Sequence, residues 1–265
     1  MELMSETAEQ RATRERKRLL FDAVAQVYHE TRQEYPDQAV RWILETASLD
    51  EGAAVLEVGC GTGQLTAELA RLPLRVTAID IGSTMIEVAR RYVPDSGVVL
   101  AVSSFEQFAA ADASFDLVVS ATAAHWIDPD VFWTRSARLL RPGGWLAIVY
   151  VGEVYDEPLR SALRDVWVRH SGAWAGSEAP TPSERIAATG LFEPAVGTIH
   201  AQRADLSPER VMNLERTRAT YLDYGPENRE SFDAELRVAL SGLVAVSATI
   251  RTEVTMARVR RQQLR

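Results

Sequence analysis

Two scarcities narrow what this sequence can be: it has a single cysteine and no long apolar run. The single cysteine, Cys60, excludes an internal disulfide bond. No segment approaches the roughly 18 apolar residues that a membrane-spanning helix needs. Residues 1–20 are rich in charge and lack the apolar core of a secretory signal. We therefore expect a cytosolic protein that does not contact a membrane.

The charge balance argues against a nucleic-acid partner. Acidic residues number 37 and basic residues 29, so the net charge is −8, whereas nucleic-acid-binding proteins usually carry a basic face. Two basic clusters, residues 11–18 and 258–265, are exceptions, and we expect both to be solvated, frayed ends of the chain. Of the four histidines, His29, His170 and His200 have no ligand-like spacing, which predicts no metal site.

Glycines at alternate positions follow a short apolar segment. Residues 54–58 read Ala-Val-Leu-Glu-Val, and Gly59, Gly61 and Gly63 come directly after them, before a predicted helix. Glycine has no Cβ, so a ligand can lie against the main chain, and a helix N-terminus offers free N–H groups and the positive end of its dipole. The turn therefore predicts a site for an anionic or carboxylate-bearing, nucleotide-like cofactor. Gln64 stands where the dinucleotide fingerprint needs a third glycine, which argues against a nicotinamide cofactor.

Predicted strands alternate with predicted helices, a pattern typical of βαβ units and of a parallel sheet covered on both faces. The strands are expected at residues 54–58, 74–79, 98–102, 115–120, 145–151, 194–201 and 248–256. The helices are expected at residues 7–34, 38–47, 64–71, 83–91, 129–140, 156–170, 207–221 and 228–243. Asp37, Ser83 and Asp128 are placed to cap three of these helices. We expect strand 98–102 to be buried and strand 248–256 to close one edge of the sheet.

The fold class that follows is α/β, with a doubly wound, mostly parallel, seven-stranded sheet in a single domain that spans residues 1–265. The core is expected at about residues 36–151. The helices within 7–34 and 152–243 are expected to cover the ligand crevice, and the alternative is that they pack on the back of the sheet. Because ligands bind beyond the carboxyl ends of parallel strands, residues that follow different strands should converge on one crevice.

An acidic residue ends the second predicted strand. Asp80 lies about twenty residues after the glycine turn, as a ribose-binding acid should. Glu57-x-Gly59-x-Gly61-x-Gly63 followed by Asp80 resembles the first two motifs of class I S-adenosylmethionine-dependent methyltransferases. The resemblance implies a Rossmann-like methyltransferase fold with S-adenosylmethionine as the methyl donor.

The segment after the fourth predicted strand points to one branch of this family. Residues 120–126 lack the Asn/Asp-Pro-Pro-aromatic motif of amine-directed nucleic-acid methyltransferases and end in a His-Trp pair. They are similar to the small-molecule branch, which includes enzymes like trans-aconitate methyltransferase, and residues 21–36 and 140–144 fit the same branch. The resemblance therefore implies a small organic acceptor.

The resemblance also implies a set of cofactor-binding residues. Glu57 is expected to support the loop by accepting backbone N–H groups, and Asp80 to accept hydrogen bonds from both ribose hydroxyls. Ser104 stands where the family usually has an aspartate that contacts adenine, and a hydroxyl is the weaker acceptor. Phe105 is expected to supply a backbone N–H to adenine. Ile81 and Met85 are expected to lie against the ring, and the alternative for both is core packing. The full predicted set is Tyr28, Arg32, Glu57, Gly59, Cys60, Gly61, Gly63, Asp80, Ile81, Met85, Ser104, Phe105, Glu106 and Ser120.

Three groups of side chains have two open interpretations each. His125 is the candidate catalytic base, because an imidazole with a pKa of about 6.5 can accept a proton as the methyl group arrives; the alternative is that it caps the following helix. Tyr28 and Arg32, four residues apart on one helical face, either hold the carboxylate of the cofactor or tie the N-terminal helix to the core. Arg216 and Arg218 are expected on a solvated helix face rather than at an anionic substrate.

Two functions of different classes are compatible with these motifs. The first, which we expect, is transfer of a methyl group from S-adenosylmethionine to a small organic molecule. The second is a protein that binds the same cofactor but catalyses a reaction without methyl transfer, or acts as a sensor. The binding motifs are shared between the two, so only the fate of the methyl group separates them.

Overall fold

The computed structural model describes residues 7–94, 97–172 and 180–260, and a seven-stranded sheet runs through the middle of this part of the chain. Its strands are β1 Ala54–Val58, β2 Arg75–Asp80, β3 Val99–Val102, β4 Phe115–Ala121, β5 Leu140–Tyr155, β6 Val196–Leu206 and β7 Val246–Arg258. Their order across the sheet is β3-β2-β1-β4-β5-β7-β6. Strands β1 to β5 are mutually parallel, and β7 is antiparallel to both of its neighbours. The predicted mostly parallel, seven-stranded α/β fold is confirmed.

Helices cover both faces of this sheet. They are α1 Ala8–Arg18, α2 Ala25–Thr31, α3 Asp37–Ala47, α4 Gln64–Leu69, α5 Ser83–Tyr92, α6 Pro129–Leu139, α7 Leu159–Ser171, α8 Pro182–Thr189, α9 Pro208–Arg216, α10 Ala219–Leu222 and α11 Pro226–Leu240. Short 3-10 turns lie at Asp22–Val24 and Ala124–Trp126. One core packs α6 and α8 on one face of the sheet, and a second packs α3 and α4 on the other. The arrangement is therefore doubly wound.

The order of the strands sets the place where a ligand can bind. From β1 the chain steps outward to β2 and β3, and it then returns to the other side of β1 to form β4 and β5. The loops after β1 and β4 consequently leave the sheet in opposite directions. They open a crevice at the carboxyl ends of these two central strands, where α/β proteins bind their ligands.

Both edges of the sheet differ from the sequence prediction. Strand β3 is not buried, because it is an edge strand, and Val99 and Val102 are 56% and 51% exposed. The prediction that strand 248–256 closes the sheet is wrong, because β7 lies between β5 and β6 and pairs with both. The 16-residue β5 offers β7 a partner along most of its length, which leaves β6 at the edge.

Two of the three predicted helix caps are also wrong. Asp37 lies inside the first turn of α3, and the cap of α5 is Gly82, since Ser83 is already helical. The free N–H groups of α5 are instead satisfied by the carboxylate of Asp22, which accepts hydrogen bonds from Thr84 (2.7 Å) and Met85 (3.0 Å). Asp22 lies in a 3-10 turn that interrupts the predicted helix 7–34. That segment forms α1, this turn and α2. The third cap is confirmed, since the Asp128 carboxylate accepts the N–H of Asp130 at the start of α6.

The basic residues of α1 are not a solvated end of the chain. Arg14 is only 8% exposed and donates to the carbonyl oxygen of Trp126. Arg16 forms an ion pair with Asp223, and Arg18 with Glu106. At the other end, Arg258 and Arg260 donate to the carbonyl oxygens of Gly143 and Phe192, and residues 261–265 lie outside the described residues. The prediction of solvated, frayed basic ends is therefore wrong for Arg14 and Arg18, whereas Arg16, Arg258 and Arg260 make their contacts from exposed positions.

Candidate active site

A cavity of about 530 Å³ lies at the carboxyl ends of β1, β2 and β4. It brings together thirteen of the fifteen residues that the sequence nominates, and Gly63 and Ser120 are the two that do not line it. The lining residues from that set are Tyr28, Arg32, Glu57, Gly59, Cys60, Gly61, Asp80, Ile81, Met85, Ser104, Phe105, Glu106 and His125. Side chains from four separate loops thus converge on one space.

The three glycines of the turn have different physical reasons to be glycine. All three have positive φ angles, between +55° and +87°. A Cβ on Gly59 would come within 2.4 Å of the Cβ of Ala123, so this position lets the loop after β4 approach closely. A Cβ on Gly61 would find no atom nearer than Tyr28 at 4.0 Å, so the main chain here faces the cavity. A Cβ on Gly63 would collide with Val93 at 2.6 Å, so this glycine serves the packing of α4 against α5.

Asp80 lies at the end of β2 with its carboxylate in the cavity wall. One oxygen accepts the N–H of Gly61 (2.9 Å) and the other accepts the N–H of Gly82 (2.8 Å). Burial raises the pKa of Asp80 above its ordinary value, and these two donors oppose that rise. Because an ionised carboxylate has about four acceptor positions, the two backbone bonds hold it in place and leave acceptor capacity for a ligand.

Glu57 ends β1 beneath the glycine turn and is only 1% exposed. Its Oε2 accepts the hydroxyl of Thr66 (2.7 Å) rather than the backbone N–H groups that were predicted. Burial raises the pKa of Glu57 to about 8. Ser120, which was expected beside it in the site, is fully buried and donates to the carbonyl oxygen of Val58 (3.0 Å). Its contact therefore holds β4 to β1.

The loop after β3 forms one end of the cavity. Phe105 is 2% exposed, and its ring packs against Phe132 and beneath the guanidinium of Arg135, so it is a core side chain. Glu106 Oε1 accepts a hydrogen bond from Arg18 (2.8 Å), whereas its buried Oε2 has no partner among the described residues. Burial opposes ionisation of Glu106, but its backbone hydrogen bond and the Arg18 charge together hold its pKa below the usual value. Glu106 therefore places an ionised carboxylate in the wall at this end of the cavity.

Helix α2 contributes to the cavity and is also tied to the rest of the chain. The guanidinium of Arg32 lies over the ring of Tyr28, 4.8 Å from its centroid, and donates to the carbonyl oxygen of Thr217 (2.9 Å). The Tyr28 ring makes an edge contact with Phe21. Both residues therefore line the cavity and anchor α2, so the two interpretations of this pair are compatible.

The sequence did not predict several residues that line the cavity, because no local sequence pattern identifies them. Arg18 and Asp22 from the segment around α1, and Arg218, Ala219 and Thr220 before and within α10, complete the wall. Arg218 is not on a solvated face: its guanidinium pairs with Glu215, which is 1% exposed and also accepts hydrogen bonds from Tyr155 and Trp167. Arg216 likewise pairs with Asp233.

His125 lies in the 3-10 turn after β4, and its imidazole forms part of the walls of two cavities. Its ring is 4.7 Å from that of Trp126 and 5.9 Å from that of Tyr150, measured between centroids. The side chain is exposed, and desolvation by the neighbouring protein lowers its pKa to about 4. It does not cap α6, because the carboxylate of Asp128 does so. The imidazole is therefore neutral near pH 7 and free to accept a proton, but its lowered pKa makes it a weaker base than an ordinary histidine.

The described part of the chain contains no group of three or more His, Cys, Asp or Glu side chains arranged to hold a metal ion. Within the same residues, no helix combines the length and the apolar character that a bilayer span requires.

Comparisons with known proteins agree with this geometry. A family model described as a methyltransferase domain matches residues 56–148. An uncharacterized methyltransferase of Mycobacterium tuberculosis is 32% identical over 205 residues, which cover 76% of this chain and 77% of that protein. The region that the family model matches includes β4 and most of β1, the two strands that flank the crevice.

Solved structures show the same fold. A protein from Anaeromyxobacter dehalogenans, assigned as a type II methyltransferase, has a TM-score of 0.61 at 24% identity and covers 86% of this chain and 98% of its own. Phosphoethanolamine N-methyltransferase 2 from Haemonchus contortus, solved with phosphomonomethylethanolamine and S-adenosylhomocysteine, has a TM-score of 0.53 at 19% identity. That match covers 91% of this chain and 58% of the nematode protein.

Proposed function

The chain belongs to the class I S-adenosylmethionine-dependent methyltransferases, and on this premise we propose that it transfers a methyl group from S-adenosylmethionine to a small organic acceptor. The observation that carries the proposal is the position of the Asp80 carboxylate beside the bare main chain of Gly61, in a cavity that also contains the imidazole of His125. A nucleoside with a charged amino-acid tail matches these groups.

The donor fits the residues that are present. Asp80 has acceptor capacity left after its two backbone bonds, as a vicinal diol requires. A side chain on Gly61 would project into the space beside Tyr28, and the glycine leaves that space free for the methionine part. When bound, S-adenosylmethionine supplies an electrophilic methyl group on a sulfonium.

At the adenine end, this chain differs from the usual family pattern at one acidic position. Ser104 stands in place of the usual aspartate, and its hydroxyl already accepts the N–H of Gln107. The ionised carboxylate of Glu106, which lines the cavity, is the better acceptor for an exocyclic amine, and Arg18 holds this carboxylate in place. Ile81 and Met85 supply apolar surface to the same end.

The other residues orient the reactants and accept a proton. Arg32 and Tyr28 hold the donor's carboxylate from above the turn, and His125 accepts the proton that a hydroxyl acceptor loses when it gains the methyl group. Orientation of two reactants can contribute about 7–11 kcal/mol, whereas a general base contributes roughly 10²- to 10⁴-fold in rate. Positioning therefore accounts for most of the rate, and His125 for a smaller part.

The test is methyl transfer itself. The protein is incubated with S-adenosylmethionine labelled on the methyl group and with a panel of small hydroxyl, carboxyl and amine compounds. We expect label in one or more products, and no label with an Asp80→Asn variant at the same donor concentration. Turnover of a compound without label would support the alternative of a cofactor-binding protein with another reaction. Absence of donor binding by calorimetry would refute both.

A further inference from the structure

A second cavity, of about 450 Å³, lies behind His125. It shares His125 and Ile127 with the cavity that contains Asp80, so only this short segment separates the two spaces. An acceptor bound in the second cavity would meet the donor's methyl group next to the His125 side chain.

The walls of the second cavity are mostly aromatic and apolar. The side chains of Phe132 and Ile148 are 1% exposed and that of Trp133 is 8% exposed, so they form firm walls. Pro129 and Tyr150 continue the surface. Flat apolar walls of this kind favour a planar apolar body, because ring-to-ring contacts add to the burial of surface.

The charged groups of this cavity are all of one sign. None of the described lining residues is an aspartate or a glutamate, whereas Arg14 and Arg185 both line it. Arg14 is already engaged, since it donates to the carbonyl oxygen of Trp126 and lies 3.7 Å from a carboxylate oxygen of Asp128.

Arg185 differs from Arg14 in its contacts. It is half-buried on α8, its Nε donates to the carbonyl oxygen of Pro180 (3.2 Å), and no carboxylate of the described residues pairs with it. Its positive charge acts on the phenol of Tyr150, whose ring lies 5.9 Å from that of His125. A guanidinium at the end of an aromatic cavity suits a carboxylate, which it can bind through two parallel hydrogen bonds.

We propose that the second cavity is the acceptor site and that the acceptor is a hydroxylated aromatic carboxylic acid, with its ring between Trp133 and Tyr150 and its carboxylate at Arg185. Its hydroxyl lies at His125, where the oxygen gains the methyl group, the bond from the methyl to the sulfonium breaks, and the hydroxyl proton passes to the imidazole. This inference rests on the proposed methyl transfer, because it assigns the acceptor of that reaction. Arg185 sets the specificity for an anion, and the aromatic walls set the specificity for a flat body.

The experiment uses a matched pair of probes, 2-naphthoate and the neutral 2-naphthamide. Each is titrated calorimetrically into the full-length protein, with and without saturating S-adenosylhomocysteine. We expect 2-naphthoate to bind at least about ten-fold more tightly than the amide, because hydrogen bonds to a charged group are the strong ones.

Three variants locate the effect. Arg185→Gln should weaken 2-naphthoate binding by about ten-fold or more and leave 2-naphthamide and S-adenosylhomocysteine affinities within about two-fold. Arg185→Lys should restore part of the preference for the acid, because it keeps the charge and loses the planar fork. Arg160→Gln removes the same charge from an exposed position on α7, where the side chain is 57% exposed, and should change none of the three affinities.

The outcomes separate the two proposals. Equal affinity for the acid and the amide, no binding of either probe, or an equal loss of both in Arg185→Gln overturns the assignment of the acceptor. If S-adenosylhomocysteine still binds in those cases, the proposed methyl transfer stands. Failure of S-adenosylhomocysteine to bind the wild-type protein refutes the methyl transfer instead.

Discussion

Replacement of Asp80 by asparagine is the sharpest test of the donor site. The carboxylate bridges the N–H groups of Gly61 and Gly82, one to each oxygen. Asparagine keeps one acceptor oxygen and turns an NH₂ group toward the other backbone N–H. The variant therefore loses acceptor capacity for the ribose and also places two donors against each other in the glycine turn.

The size of the effect follows from these contacts. A hydrogen bond to an ionised group is worth about 1.5–3 kcal/mol, and one such bond to the ribose is lost. The strained contact in the turn adds about 1 kcal/mol. The sum of about 2.5–4 kcal/mol corresponds to a loss in affinity of roughly 60- to 800-fold.

The assay is calorimetric titration with S-adenosylhomocysteine, which avoids turnover. The matched control is Asp112→Asn, since Asp112 and its partner Arg138 are both 63% exposed on the surface. We expect the control to bind as the wild type does. If Asp80→Asn has the wild-type unfolding temperature and its affinity is within about three-fold of the wild type, Asp80 does not bind the ribose.

Four further predictions concern the same part of the molecule. Glu106→Gln should weaken S-adenosylhomocysteine binding by about ten-fold, because the ionised carboxylate in the cavity wall becomes a neutral amide. His125→Ala should lower kcat by about 10²- to 10⁴-fold and leave donor affinity unchanged. The pKa of His125 is lowered to about 4. The wild-type rate should therefore stay constant as the pH falls through the ordinary histidine range and should decline only near pH 4. Glu57→Gln should be more stable than the wild type at about pH 9, by about 2–4 kcal/mol, with no difference at about pH 4 in urea unfolding. Arg218→Met should destabilise the protein by about 2–3 kcal/mol, because it leaves Glu215 buried without its cation. This value is smaller than for a fully buried pair, because the Arg218 side chain is 37% exposed. The double variant with Glu215→Gln should recover most of the lost stability.

The sign of the Glu57 effect follows from proton binding. Burial raises its pKa to about 8, so the folded state holds a proton that the unfolded state releases above a pKa of about 4.3. Stability due to Glu57 is therefore fully present below the unfolded pKa and is lost as the pH rises toward 8. A wild-type curve with no fall in stability across this window would contradict the assignment.

Each of the other predictions also has a contradicting result. Unchanged affinity in Glu106→Gln would mean that adenine does not contact this carboxylate. An undiminished rate in His125→Ala at every pH would remove the base. A neutral effect of Arg218→Met on urea unfolding would show that the buried network around Glu215 tolerates an unpaired carboxylate.

The inner strands and the cofactor turn were predictable because their signals are local. Residues 54–58 form a short apolar run, and the alternate glycines and the helix follow immediately in the chain. Asp128 with Pro129 predicts a helix start from two adjacent residues, and the structure confirms it. In each case the residues that create the structure are close neighbours in sequence, so no tertiary contact is needed to interpret them.

The misses share one cause, which is contact between distant segments. Asp22 caps a helix that begins 61 residues later, and Arg18 reaches Glu106 across 88 residues. Ser120 lies near the carboxyl end of β4, but its hydroxyl donates to the carbonyl oxygen of Val58 in β1, inside the sheet. Gly63 is in the right turn, but the space it leaves is filled by α5.

By itself, the sequence determined the type of fold, the glycine turn and the acid that follows β2, since backbone freedom and strand periodicity are properties of neighbouring residues. Only the tertiary structure decided which side chains face the cavity, which basic residues are paired, and that a second space opens behind His125. The physical reason is that burial and pairing depend on how α1, α8 and α10 pack against the rest of the chain, and that packing is set by long-range contacts with no counterpart in the local pattern.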